Sequence, residues 1–150
     1  MRRFLLALLA SSALLAVATP LLSAENAGPA LPTRQLSAGL YLIKAEVAAA
    51  PAELQRGLMY RRELGEHEGM LFLFAHTGRQ CMWMRNTLIP LSVAFLRDDG
   101  TIVNIEDMAP QTETNHCSSE PVRAALEMNQ GWFAKRGIRA GSRIKGMPAF

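Results

Sequence analysis

The sequence has 150 residues, the size of one ordinary domain, and 49% of them are apolar. Its 16 Lys and Arg residues outnumber its 13 Asp and Glu residues by three, but Arg2 and Arg3 lie in a segment that we expect to be removed, which leaves a net charge of +1. No run of basic residues remains that would favour nucleic-acid binding, so we expect no nucleic-acid partner.

Residues 1–24 have the pattern of an export signal. An arginine pair precedes an apolar segment from Phe4 to Leu22, and small residues after a proline suit cleavage after Ala24. Cleavage after Ala18 fits the same pattern. An uncleaved anchor is an alternative, because the apolar segment approaches the ~20 residues that a membrane span needs. We therefore predict a periplasmic or secreted protein, bound to a membrane only if this segment is retained.

The first part of the exported chain is predicted to be flexible. Residues 25–38 are rich in Pro, Gly and small polar side chains, which predicts a flexible linker, and residues 39–150 are predicted to form a single β-rich domain. From Tyr41 to Val47, the side chains at odd positions are apolar or aromatic, and they alternate with Leu42, Lys44 and Glu46. This period of two residues indicates a strand. Residues 51–58 are predicted to form a short helix, because Pro51 suits the first helical position.

The rest of the domain is predicted to be mostly strands. A short apolar run at 70–74 indicates a buried strand, and Asp98-Asp99-Gly100 lies between two β-type runs, which predicts a hairpin turn. Residues 122–129 fit a helix or a strand by periodicity alone. A second short helix at 131–137 is predicted to end at Gly137. Together these elements predict a mainly β fold, either a compact β-sandwich or a partly open barrel, with two short helices.

Four separated stretches, taken together, resemble one family. They are QRGLMYRREL (55–64), EGMLFLF (68–74), WMRNTLIPLSVAFL (83–96) and AALEMNQGWFAKRGIRAGSRI (124–144). They resemble the bacterial and archaeal family known as domain of unknown function 192, over residues 40–144. The resemblance implies a small, sandwich-like β domain, often exported or membrane-tethered, and favours a strand at Val122–Met128. It implies no accepted activity, and Ser92 stands where members of the family often carry Asp.

The two cysteines, Cys81 and Cys117, are an even pair in a chain that we expect to be exported. Such a pair favours a disulfide. Closing a loop of this length contributes roughly 3–4 kcal/mol of stability. Two buried thiols, or two ligands of one metal ion, are the alternatives.

A copper site is the alternative interpretation of these soft side chains. Thiolate, thioether and imidazole groups together suit Cu(I). The candidate ligands are Cys81, Met82, Met84, His116 and Cys117. In a strand, Met82 and Met84 point to one side while Cys81 points to the other, so one ion does not reach all three without a bulge. Methionines on a strand are typical of a core, and we therefore predict no cofactor, with copper as the alternative.

A mixed set of aromatic, amide and charged side chains is the leading candidate for a ligand site. Ligand pockets combine an apolar or aromatic body with a few polar groups. The candidates are Arg56, Met59, Trp83, Arg85, Asn86 and Glu127. The alternatives are structural: Asn86 satisfies backbone groups in a turn, and Glu127 lies on a solvated strand face or in a buried ion pair with an arginine.

The sequence contains no GxSxG, HExxH, P-loop or dinucleotide-binding motif. We therefore predict a non-enzymatic ligand-binding or accessory module without catalytic residues, whose partner is an unknown small molecule or protein. The alternative is an enzyme with a Cys- or carboxylate-based site. A disulfide between Cys81 and Cys117 would remove the thiol nucleophile from that alternative.

Overall fold

A computed structural model describes residues 30–149 of the chain. The predicted signal peptide, residues 1–24, and the first residues of the predicted linker lie outside this range. Within residues 30–149, no helix has both the length and the apolar character that crossing a membrane requires.

The described part of the chain contains nine strands, one α-helix and one turn of 3-10 helix. In chain order they are β1 (Thr33–Ala38), β2 (Tyr41–Ala48), α1 (Pro51–Arg56), β3 (Glu68–Gly78), β4 (Cys81–Met82), β5 (Leu91–Leu96), β6 (Ile102–Met108), β7 (His116–Cys117), β8 (Val122–Asn129), the 3-10 turn (Ala134–Arg136) and β9 (Ile144–Lys145). The predicted mainly β fold is confirmed. The second predicted helix is reduced to the 3-10 turn, which ends at Gly137 in the left-handed conformation.

Seven of these strands form one sheet in the order β6-β5-β8-β3-β2-β1-β9, and β4 pairs with β7 in a separate two-stranded sheet. β2 and β3 are parallel, and the chain between them passes through α1. The other paired strands are antiparallel. Residues 122–129 form β8 in the middle of the large sheet, which confirms the strand that the family resemblance favours.

The large sheet curls, so that its two outer strands meet at one end. A bridge joins Thr101, just before β6, to Arg143, just before β9. Next to it, the N–H of Ile102 donates to the carbonyl of Ser142 over 2.9 Å, and the N–H of Ile144 donates to the carbonyl of Gly100 over 2.9 Å. Because the contact is limited to this end, the fold is a half-closed barrel. This agrees with the prediction of a partly open barrel.

The predicted linker extends too far along the chain. Residues 33–38 form β1 rather than a flexible segment, and Leu36 and Ala38 are buried in the core. β1 pairs along its whole length with β2 and near its end with β9. Its own sequence is mostly polar because it lies near the edge of the sheet, and its order comes from pairing with strands elsewhere in the chain.

Apolar side chains cover both faces of the central strands. One core cluster on the sheet contains side chains such as Leu71, Leu126 and Trp132, and the other contains side chains such as Phe72 and Phe95. Every residue of β5 is buried as a result. The hairpin between β5 and β6 turns at Asp98-Asp99-Gly100 as predicted, where Gly100 has a φ of 84°.

Helix α1 lies against β3 and carries the first candidate side chain. Pro51 occupies its first turn, and Glu53 Oε2 accepts hydrogen bonds from the N–H groups of Ala49 and Ala50, each over 2.9 Å. Gly57 ends the helix with a φ of 48°, and a Cβ at this position would lie 3.1 Å from the ring of Phe72. Glycine at this position therefore allows the helix to sit close to the sheet.

Candidate functional site

Side chains from Cys81 to Arg85 alternate between exposed and buried positions, as the sequence predicts. Met82 and Met84 are buried in the core cluster that also contains Phe72. Cys81, Trp83 and Arg85 are exposed on the other side. The methionines therefore pack in the core, and the aromatic and basic side chains face the solvent.

Cys81 and Cys117 are joined by a disulfide bond, with an S–S distance of 2.07 Å. The two residues face each other in the pair formed by β4 and β7. Both thiols are consumed, and residues 30–149 contain no free cysteine and no group of three or more His, Cys, Asp or Glu side chains arranged to hold a metal ion. In this oxidised state the chain offers no thiolate to copper and no thiol nucleophile.

Two loops meet beside α1 through residues in an unusual backbone conformation. Tyr60 and Asn86 have φ values of 64° and 57°, in the left-handed region that side chains rarely adopt. The N–H of Tyr60 donates a hydrogen bond of 2.9 Å to the carbonyl of Asn86. Strained backbone of this kind is often found at functional sites, where surrounding structure holds it in place. This contact joins the segment that contains Met59 to the segment that contains Trp83.

Two arginines stack on aromatic rings near this contact. The guanidinium of Arg56 lies 5.9 Å from the ring centroid of Tyr60, and that of Arg85 lies 5.7 Å from the ring centroid of Trp83. Arg85 also lies 3.8 Å from Glu113 in an exposed ion pair. Trp83 and Arg85 therefore form a surface feature, whereas Arg56 also lines a cavity.

A cavity of about 290 Å³ lies between α1, the chain just before β1, and β3. Its lining combines apolar and charged residues: Leu31, Ala52, Glu53, Arg56, Gly57, Arg61 and Met70. Of the six candidates named from the sequence, Arg56 is the one that lines it. Met59 is half-buried in the loop after α1, and its N–H donates to the carbonyl of Arg56 over 3.0 Å.

Two charged groups at the cavity have defined partners. Arg61 Nη2 lies 2.5 Å from Oε2 of Glu46, and both side chains are 23% exposed. Glu53 caps the backbone before α1, and these hydrogen bonds from Ala49 and Ala50 lower the pKa of its carboxyl group. The carboxylates of Glu53 and Glu46 are therefore already engaged with donors of the protein itself.

Glu127 lies beside the cavity floor, in the middle of the sheet. It is directly opposite Met70 on β3 and Val93 on β5. Only 3% of its surface is exposed, and it forms no ion pair with residues 30–149. Burial raises the pKa of this carboxyl group to about 8, because the charged form loses its hydration. Neither the solvated strand face nor the ion pair with an arginine is found.

The structure thus brings together part of the predicted set. Arg56 lines the cavity, Glu127 neighbours the Met70 floor, and Asn86 is linked to the same region through Tyr60. Arg61 was missed, although it follows α1 in an arginine-rich stretch, because its pairing with Glu46 depends on the position of β2. Leu31 was missed because it lies in the segment predicted to be a linker.

Fold and site together define a class: a small β domain with a half-closed barrel and a side cavity under a short helix. The model of the DUF192 family, described as uncharacterized ACR, COG1430, matches residues 34–146. The chain belongs to the DUF192 family, which confirms the resemblance. No curated protein matches this chain.

Two solved structures are similar to this chain over most of its length. One, from Sinorhizobium meliloti 1021, is described as a proposed transcription regulator; it is 35% identical, with a TM-score of 0.74, and the match covers 79% of this chain and 96% of that one. The other is a protein of unknown function from Novosphingobium aromaticivorans DSM 12444; it is 36% identical, with a TM-score of 0.74, and the match covers 77% of this chain and 86% of that one.

Proposed function

We propose that this protein is an exported, non-enzymatic module that binds a small molecule in the cavity between α1 and β3. The observation that carries the proposal is the cavity itself, which combines an apolar floor at Met70 with the charged groups of Arg56 and Arg61. Binding sites typically have this composition, in which apolar surface supplies contact area and a few polar groups orient the ligand.

A binding role agrees with the chemistry of the surrounding groups better than a catalytic one. The cysteines form a disulfide, and burial raises the pKa of Glu127, the carboxyl group beside Met70, to about 8. A carboxyl group that keeps its proton is neither a nucleophile nor a base; its remaining chemistry is that of a proton donor, and it is tolerated in an apolar core. The domain therefore provides a preformed recess without an activated nucleophile.

Export is supported by two features of the chain. Its N-terminal segment has the pattern of a signal peptide. The disulfide between Cys81 and Cys117 suits an oxidising compartment such as the periplasm or the extracellular space.

The proposal is tested by screening a library of fragments, both charged and uncharged, against the purified isotope-labelled protein by NMR. We expect hits to shift the amide signals of Ala52, Gly57 and Met70. Ala52→Trp fills the cavity from α1 and should abolish these shifts. Gln55→Trp places the same side chain on the same helix, at an exposed position that does not line the cavity, and should preserve them. Hits that bind both variants equally would contradict the proposal.

A further inference from the structure

We infer that the ligand of this cavity is a small carboxylate with a compact apolar body. The inference rests on the proposed function, because it assumes that the cavity is a binding site and specifies the class of its ligand. Three properties of the cavity lead to it: its volume, its apolar floor, and the excess of basic over acidic side chains in its lining.

The volume sets the size of the ligand. A cavity of 150 Å³ holds one benzene molecule, so the volume of about 290 Å³ accommodates about a dozen non-hydrogen atoms. An aromatic acid or a short fatty acid fits this volume whole, whereas a nucleotide or an oligopeptide would extend out of it.

The floor sets the character of the ligand's body. Leu31, Ala52 and Met70 provide the apolar part of the lining. The methionine side chain is flexible and polarizable, so it adapts to aromatic and aliphatic groups alike. An apolar body of the ligand is therefore expected to lie against Met70.

The basic groups favour a negatively charged head. Within residues 30–149, Glu46 engages Arg61 through Nη2 alone, and a guanidinium carries five N–H donors arranged to bind a carboxylate through two parallel hydrogen bonds. Nε and Nη1 of Arg61, which lie on different edges of the guanidinium, have no partner among residues 30–149, so each can donate a hydrogen bond to a ligand. Arg56 adds a second positive charge to the same lining.

The acidic groups disfavour a cationic head. Glu53 is held by two backbone N–H groups, and Glu46 is held by Arg61. A cationic ligand would face two arginines, Arg56 and Arg61, against one lining carboxylate, Glu53, whereas a carboxylate can accept hydrogen bonds from the remaining N–H groups of Arg61. Carboxylates should therefore bind more tightly than amines of the same shape.

The test compares three probes of one shape with the purified protein by isothermal titration calorimetry: benzoate, benzyl alcohol and benzylamine. We expect benzoate to bind at least about tenfold more tightly than benzyl alcohol, as charge-assisted hydrogen bonds imply, and benzylamine to bind most weakly. Arg61→Gln should weaken benzoate about tenfold and leave benzyl alcohol unchanged. Arg62→Gln, at an exposed neighbour that does not line the cavity, should change neither affinity.

A second variant makes the test independent of the stability of Arg61→Gln. Glu46→Gln removes the carboxylate that competes for Arg61, so benzoate should bind several-fold more tightly to it. Equal affinities of benzoate and benzyl alcohol, or unchanged benzoate affinity in Glu46→Gln, would overturn the carboxylate inference while the cavity remained a binding site. If Ala52→Trp bound benzoate normally, the proposed function itself would fail; if no probe bound while fragments of the library still did, the carboxylate inference alone would fail.

Discussion

Glu127 is a carboxyl group placed among apolar side chains in the middle of the sheet, opposite Met70 and Val93. Its pKa is raised from 4.5 to about 8 by burial. Below pH 4.5 it is protonated in both the folded and unfolded chain. Between pH 4.5 and 8 only the folded chain keeps the proton, so raising the pH favours unfolding until the folded group also ionises above pH 8.

We therefore predict that Glu127→Gln flattens the dependence of stability on pH. Gln keeps the shape of the side chain and has no charge to bury. The free energy of unfolding of the original protein should fall relative to that of the variant by roughly 3–5 kcal/mol between pH 4.5 and 8. Urea unfolding of both proteins at pH 5, 7 and 9 measures this difference, and parallel pH profiles would show that the group is not protonated in the fold.

At the scale of elements, the short strands β4 and β7 hold the long connection between β6 and β8, residues 109–121, against the rest of the domain. They form only two residue pairs, Cys81 with Cys117 and Met82 with His116. Neighbouring contacts extend the attachment: the N–H of Met84 donates to the carbonyl of Thr112 over 2.9 Å. The disulfide adds a covalent link to this small sheet.

Replacing both cysteines by serine should lower the free energy of unfolding by about 3–4 kcal/mol. The bond joins residues 36 positions apart in sequence, and it therefore restricts the unfolded chain. Thermal and urea unfolding of the protein and of the double variant measure the loss. Adding a reductant should destabilise the original protein and leave the double variant unchanged. A double variant as stable as the original would show that the two-residue strands hold the loop without the bond.

At the scale of the whole molecule, closure of the sheet depends on the contact between the chain before β6 and the chain before β9. Gly100 approaches this contact so closely that an added Cβ would clash with the carbonyl oxygen of Ile144. Gly141 belongs to the same junction and has a similar φ of 87°, but a Cβ there would meet no atom within 4 Å. Comparing alanine substitutions at these two glycines therefore separates the effect of crowding on stability from the effect of backbone strain.

We predict that Gly100→Ala destabilises the protein by about 1–3 kcal/mol more than Gly141→Ala. Both substitutions share the strain of a positive φ, but only the first pushes the two ends of the sheet apart. Hydrogen exchange should accelerate at the amides of Ile102 and Ile144 in Gly100→Ala alone. Equal losses of stability in the two variants would mean that the closing contact contributes little.

Local patterns predicted the parts of the fold that depend on neighbouring residues. The Asp-Gly hairpin, the helix that begins at Pro51 and the alternation from Cys81 to Arg85 are confirmed, because each depends on the preferences of a few adjacent side chains. The site was predicted less completely. Arg56 was identified, but Arg61 and Leu31 were not, because they reach the cavity through contacts with β2 and β3.

The sequence by itself determined that this is a mainly β domain of one known family, with a cysteine pair suited to a disulfide, and its N-terminal pattern predicts export. Only the tertiary structure decided that residues 33–38 form a strand and that Glu127 is buried, because both depend on what lies across the sheet. Periodicity shows which side chains share a face of a strand, but whether that face meets water, another element or a cavity is decided by residues far away in sequence.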